Sequence, residues 1–401
     1  MIAKFRLTSQ ALVLVLCACL STVAFAADTL DAARAQARKE KKPLLIDFYA
    51  EWCGPCKVFT RDSKKNADIK QKLKSVVLLK VDAEKGNGLH LAEQYGVSGY
   101  PTFVLVNADQ EVIYRWTGYS KDHFIGQIDT ALEDPRPISQ KIASYKKKKT
   151  LNTAAFLANY HVSKGEYGQA IKLYEEAESL RGAKDPSYQS DIWEVKFEMF
   201  RREEEGIEFA DLHRSAQRAL AQADHETGMD IAKSMIYLSK KEKNREQLVG
   251  YIGKAMEVAK AMSPEQAKKV PMISLKADHQ LYIEGKPEKA LATIKTGYDA
   301  GWDETPDGLN RFAWWCFENE VNLEEASRLA AKGAALAEPG SDRANILDTQ
   351  AEIENARGNV AKAVALMEEA VRNYPDRAFF KRQLERFKKA LTESEASIKK
   401  S

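Results

Sequence analysis

The chain has 401 residues, of which 44% are hydrophobic, 30% charged and 9% aromatic, a mixture that excludes wholesale disorder, a polytopic membrane protein and a collagen-like fibre, and whose length suggests two or three domains. The 61 Lys and Arg nearly balance the 58 Asp and Glu, leaving a net charge of +3 and no electrostatic footprint for nucleic acid. Only 12 prolines and 21 glycines fit long helices better than an all-β protein.

Lys4 and Arg6 precede an apolar run over 11–20 and the triplet Ala24-Phe25-Ala26, the pattern of a secretory signal with a small-x-small cleavage site. The run is shorter than the ~20 residues needed to span a bilayer. We read residues 1–26 as a cleaved signal peptide and the mature chain as exported, to the periplasm, where disulfide chemistry is permitted. A retained anchor helix and lipidation at Cys19 are the competing readings, and Cys17 fits a lipobox poorly.

From about 28 to 135 the pattern alternates between helix and strand. Residues 30–42 carry apolar positions at helical spacing, and Pro43 stops them. Leu44-Leu45-Ile46-Asp47-Phe48-Tyr49-Ala50 reads as a buried strand. The helix after Cys53 and Cys56 breaks near Asn66, which can cap a second short helix to Leu73. Residues 76–81 form a second apolar strand, and 88–95 a helix ending at Gly96. Strands at 102–106 and 111–116 flank the turn Asn107-Ala108-Asp109-Gln110. Ser120 can cap a closing helix to Leu132. The order α-β-α-β-α-β-β-α describes a small α/β sandwich over 27–135.

Strand signals vanish after Pro135 and Pro137. Residues 136–150, with the lysine run at 146–149, read as a solvated linker or helix start. A helical pattern then repeats. Gly165, Tyr167, Ala170, Tyr174 and Ala177 return as Gly285, Pro287, Ala290, Ile294 and Gly297, and again as Gly358, Val360, Ala363, Met367 and Ala370 before Pro375. A weaker copy holds Leu323, Ala326, Ala330 and Gly333. A period near ~34 residues resembles the helix-turn-helix repeats of the tetratricopeptide kind, in which small residues let the paired helix approach closely. Degenerate pairs are expected near 187–222, 225–261 and 264–300, the last opening on the capping box Ser263-Pro264-Glu265-Gln266. We assign the repeats to 151–376 and a capping helix and tail to 377–401.

The chemistry lies in Trp52-Cys53-Gly54-Pro55-Cys56-Lys57. Two cysteines three apart at a strand-to-helix junction can close a small disulfide ring. The first would stand at a helix N-terminus, where the dipole and free N–H groups stabilise an anion and can lower a thiol pKa from ~8.5 into the range ~3.5–7.5. The thiolate is the attacking species in disulfide exchange. The second, one turn on, can attack a mixed disulfide. A zinc half-site would need a second pair, and Cys316 lies in another region; haem attachment would need His where Lys57 stands. A plain structural disulfide remains open, although the strand-to-helix context favours redox use.

The segment 46–57, Ile-Asp-Phe-Tyr-Ala-Glu-Trp-Cys-Gly-Pro-Cys-Lys, closely resembles the active-site segment of thioredoxins, and Gly99-Tyr100-Pro101-Thr102 resembles the family's cis-proline loop. The resemblance covers about 28–135. It implies an α/β thioredoxin fold, and the resemblance of the repeats implies an all-α, tetratricopeptide-like superhelical domain after it. It also implies that Cys53 is the nucleophile, Cys56 the resolving thiol and Asp47 the buried acid near Cys56. An Asp within an apolar strand should have a raised pKa, unless it turns outward at the strand end. Lys80 matches a lysine that approaches this acid, and alone would read as a solvated residue. Pro101 is the expected cis residue, with the Tyr100 backbone pairing to an extended substrate segment. Trp52 would shield the disulfide, while Gly54 and Pro55 shape the helix start. Tyr100 departs from the aliphatic residue usual in thioredoxins but occurs in disulfide-isomerase-type domains; Gly-Pro between the cysteines is typical of reducing members.

The resulting expectation is an exported thiol–disulfide oxidoreductase with a redox-active Cys53–Cys56 disulfide. Its partners would be disulfide- or thiol-containing client proteins, an electron-donating redox protein, and proteins held on the repeats. No cofactor, metal or nucleic acid is expected. Cys316, among Ala313, Trp314, Trp315 and Phe317, reads as an inert buried thiol. The alternative class is a repeat-based interaction scaffold with an accessory thioredoxin-like domain.

Overall fold

In the computed structural model, which describes residues 29–268 and 270–398, the apolar run after Pro43 becomes the central strand of a four-stranded sheet. The signal expected over 1–26, with Cys17 and Cys19, lies outside the described residues. The chain divides into two compact units, Met1–Glu205 and Gly206–Ser401.

The first unit begins with α1 (Leu30–Glu40), whose cap Thr29 accepts from the Ala32 N–H at 3.2 Å. The chain continues through β1 (Leu44–Tyr49), α2 (Gly54–Lys65), α3 (Ala67–Leu73), β2 (Val77–Asp82), α4 (Asn87–Gln94), β3 (Thr102–Val106), β4 (Val112–Thr117) and α5 (Lys121–Glu133). The strand order is β2-β1-β3-β4, with β1–β2 parallel and the other pairs antiparallel. Side chains alternate across a strand, so Leu44, Ile46 and Phe48 enter one core with α1 and α4 residues. Leu45 enters the other with Phe59, Phe103, Trp116 and Phe124. Both faces are covered, which is why β1 reads as an almost unbroken apolar run. Asn66 ends α2 and caps α3, accepting from the Asp68 and Ile69 N–H groups at 3.0 and 3.2 Å. Ser120 stands at the N-cap of α5, but its side chain makes no capping hydrogen bond.

The structure differs from the expected linker at 136–150. Residues there form α6 (Ile138–Lys147), followed by α7 (Leu151–Ser163), α8 (Tyr167–Leu180) and α9 (Gln189–Arg201). The Lys141 side chain is buried and donates from Nζ to the carbonyls of Ile113 at 3.2 Å and of Asp134 and Arg136 at 2.6 Å each. Those three bonds use all its hydrogens, while burial pushes its pKa down to about 8. Phe156 of α7 lies 4.4 Å below that ammonium and 4.7 Å from the Tyr114 ring of β4. The lysine run at 146–149 is exposed, as read; Lys141, outside that run, is the one that turns inward.

The second unit holds α10 (Phe209–Leu220), α11 (His225–Lys241), α12 (Arg245–Ala261), the single turn α13 (Pro264–Ala267), α14 (Met272–Tyr282), α15 (Pro287–Lys295), α16 (Pro306–Glu318), α17 (Leu323–Leu336), α18 (Ser341–Ala356), α19 (Val360–Asn373) and α20 (Ala378–Ile398). Neighbouring helices pair as α11–α12, α14–α15, α16–α17 and α18–α19, as α7–α8 do in the first unit. The repeated alanines Ala170, Ala290, Ala326, Ala330 and Ala363 are fully buried on the second helix of each pair. The tight bends need a left-handed residue: Gly165, Gly285 and Gly358 supply it, but Lys243 (φ 52°) and Glu320 (φ 50°) do so in the copies without glycine. The capping box at Ser263 forms, yet its helix stops after one turn, and the pair expected over 264–300 is α14 with α15. Helix α20 buries Phe380 and Phe387 against the core of the preceding hairpins, closing their end.

Candidate functional site

Cys53 and Cys56 form a disulfide, and each is 2% exposed. Cys53 is the N-cap of α2, its sulfur accepting from the Cys56 N–H at 3.1 Å. Pro55 suits the first turn, where its missing N–H costs nothing. A Cβ at Gly54 would meet no atom within 4 Å, so the space left by this glycine faces outward. Ala50, Tyr49 and Tyr100 pack around the two sulfur-bearing residues. The Tyr100–Pro101 peptide bond is cis.

Trp52 is 67% exposed, with its ring edge-on to Tyr100 at 5.9 Å and its indole N–H bonded to the Glu84 carboxylate at 3.0 and 3.2 Å. It therefore flanks the disulfide, with one side of the indole open to an incoming chain.

Beneath this surface, Asp47 is fully buried on β1, level with Lys80 on β2; it does not turn outward. Lys80 Nζ donates to Asp47 Oδ2 at 2.8 Å and to Thr60 Oγ1 at 2.9 Å, and lies 4.9 Å from the Tyr49 ring centroid. Thr60 follows Cys56 by one helical turn, so the two share a face of α2. Asp47 Oδ1 is buried without a hydrogen-bond partner. Burial raises the Asp47 pKa and outweighs the opposing attraction of Lys80. The result is a carboxyl whose pKa burial raises, with a lysine and a hydroxyl on one side.

Sequence reading did not single out Thr60, Glu84 or Tyr49. Its spacing from Cys56 could have indicated Thr60. Glu84 lies two residues beyond β2, where nothing in the pattern points toward Trp52. Cys316 is buried in the second unit among Phe312 and Trp315, and burial pushes its thiol up to about 12, leaving almost no thiolate at neutral pH.

A family model for thioredoxin matches residues 25–130. Among curated proteins, the chain is 35% identical over 91 residues to a chloroplastic F-type thioredoxin of Brassica napus, covering 23% of this chain and 47% of that protein. It is 39% identical over 94 residues to the thiol:disulfide interchange protein DsbD of Klebsiella pneumoniae, covering 22% of this chain and 15% of that one. The chain thus spans about half the length, or less, of these relatives. A solved structure of the C-terminal part of a TPR repeat-containing protein from Cytophaga hutchinsonii is similar at 14% identity, with a TM-score of 0.36, over 60% of this chain and 90% of that one. With the family match, the cysteine pair capping α2 and the cis proline beside it, residues 25–130 of this chain are a thioredoxin domain.

Proposed function

We propose that the chain is an exported thiol–disulfide oxidoreductase that reduces disulfides in client proteins, with the helical repeats holding clients or partners. The observation that carries this reading is the Cys53–Cys56 disulfide on the first turn of α2, packed against Tyr100 of the cis Tyr100–Pro101 bond. Similarity to thioredoxins and to a thiol:disulfide interchange protein supports it.

In the reduced chain, the Cys53 thiolate attacks one sulfur of a client disulfide, and the other client sulfur leaves and takes a proton. Cys56 then gives up its proton and attacks the Cys53 sulfur, closing the 53–56 disulfide and releasing the second client thiol. The client gains two electrons and two protons. A dithiol redox protein returns the chain to its reduced form. Asp47 is suited to accept the Cys56 proton, because its raised pKa brings it closer to a thiol's.

Export rests on the pattern in residues 1–26 and predicts a mature N-terminus at Ala27 in the periplasmic fraction, read by N-terminal sequencing. Activity is tested by insulin reduction with dithiothreitol as electron donor. Cys53→Ser should abolish the acceleration, and equal rates for this variant and the native chain would overturn the enzyme reading. In Cys56→Ala the mixed disulfide should persist and capture clients covalently. Deleting 206–401 should change the captured set if the repeats recruit; an unchanged set removes that role.

A further inference from the structure

Arg115 is an arginine inside a protein core with carbonyls for partners. It lies on β4, is 3% exposed, and donates from Nη1 to the Tyr95 carbonyl at 2.5 Å and from Nη2 to the Gly96 carbonyl at 3.3 Å. Burying a charge without a counter-ion in hydrogen-bond contact is costly, so its place in the fold needs a reason.

The two carbonyls define one. Helix α4 ends with the Val97 N–H bonded to the Ala92 carbonyl and the Gly96 N–H to the Glu93 carbonyl, both at 2.9 Å, with Gly96 left-handed at φ 60°. This closing motif satisfies the earlier carbonyls of the last turn. Just beyond the helix, the carbonyls of Tyr95 and Gly96 are the ones Arg115 takes, at the helix end where the dipole favours a cation. The chain then runs through Ser98 and Gly99 to the cis bond before Pro101. The far end of the same loop is also tied to β4. Thr102 Oγ1 donates to the Gly99 carbonyl at 2.8 Å and shares a hydrogen bond with Thr117 Oγ1 at 3.0 Å, and the Gly118 N–H donates to the Pro101 carbonyl at 2.8 Å. Arg115 and Thr117 are two residues apart and so share a side of the strand. One strand therefore holds both ends of the loop that sets Tyr100 against the cysteines.

We propose that Arg115 is a positioning residue for thiol–disulfide exchange: from β4 it fixes the start of the loop that presents Tyr100–Pro101 to an extended client segment. The proposal rests on the oxidoreductase reading above. The first helical hairpin takes part. Helix α7 packs on β4 through Phe156 and Tyr114. The hairpin thus packs against the strand that carries the clamp.

Arg115 touches neither cysteine in this scheme, so its loss should weaken docking of a polypeptide and spare the sulfur chemistry. The full chain is compared with Arg115→Met and Arg115→Lys, with native folding checked by circular dichroism. In Arg115→Met the KM for insulin should rise about tenfold, with kcat within about twofold, since small displacements of positioning groups produce effects of that size or larger. The rate at which the pre-reduced variant reduces the small disulfide dithiobis-nitrobenzoate, and the reduction potential of the 53–56 pair, should stay at native values. Arg115→Lys, which keeps the charge but not the fork, should fall between; if Arg115→Met does not fold, this variant alone decides. A native insulin KM in the folded Arg115 variants overturns the proposal, as does an equal loss on insulin and the small disulfide. Failure of the native chain itself to reduce insulin would instead count against the oxidoreductase reading.

Discussion

Asp47 shows what burial does to a single carboxyl. It bonds Lys80 through one oxygen and leaves the other buried without a partner. An aspartate whose folded pKa lies above its unfolded value stabilises the fold fully below the unfolded pKa, and that contribution is lost as pH rises through the folded one. Asp47 has this raised pKa, so at neutral pH its ionisation opposes folding. Asp47→Asn should therefore raise stability at pH 7 by about 1–3 kcal/mol, the scale of a buried polar group relieved of its charge. The gain should shrink toward zero below about pH 4, the ordinary aspartate range. Denaturant melts at pH 7 and pH 4 read the difference, and a constant offset at both would contradict it. The same variant should slow turnover with insulin, because proton removal from Cys56 loses its acceptor. Asp47 was legible in sequence as an acid inside an apolar strand. Its hydroxyl neighbour Thr60 was not, because contact across elements depends on where α2 lies over the sheet.

Among the elements, α6 departs most from what the sequence suggests. The α/β order from α1 to α5 was readable because apolar runs bounded by Pro43, Asn66 and Gly96 mark each element. The repeats were readable through buried alanines. Helix α6 has no such mark: its inward residues include Lys141, which a hydrophobic pattern scores as outward. The fold accommodates it because two of the three carbonyls it bonds lie at the end of α5 and just beyond, where the backbone has left the helix. Lys141→Met in the full chain should lower stability by about 2–3 kcal/mol, the worth of charge-assisted hydrogen bonds whose acceptors are left unpaired. Hydrogen exchange should quicken at the amides of β4 and α7. Unchanged protection there would show that Phe156 and Tyr114 hold the helices to the strand unaided. The degenerate copies were harder to place for a related reason. Lys243 and Glu320 adopt the left-handed turn that glycine marks elsewhere, so the punctuation is conformational and absent from the letters.

Within the second unit of the molecule, successive hairpins are joined by more than apolar contact. Lys240, at the end of α11, donates to both oxygens of Asp278 on α14 at 2.8 and 2.9 Å and to Asn319 after α16 at 2.9 Å, and Tyr282 donates to the same Asn319 oxygen at 3.1 Å. Three hairpins thus share one buried polar group of residues. Lys240→Met should destabilise this unit by about 3–5 kcal/mol, as expected when one partner of a buried pair is removed. The loss should be greater at neutral than at acid pH, because Asp278, its pKa already raised by burial, can be neutral only when protonated. Calorimetry of the full chain should show the change while the rate of thiol–disulfide exchange stays native. A wider consequence follows from Lys141. Sheet edges are where foreign strands attach, in aggregation and in domain swapping. With its ammonium on the Ile113 carbonyl and α7 against Tyr114, the β4 edge is chaperoned by its own downstream sequence. During synthesis, the strand emerges before the lysine that covers it, so the growing chain passes through an interval in which the edge is bare. In that interval the β4 edge is open to mispairing with another copy.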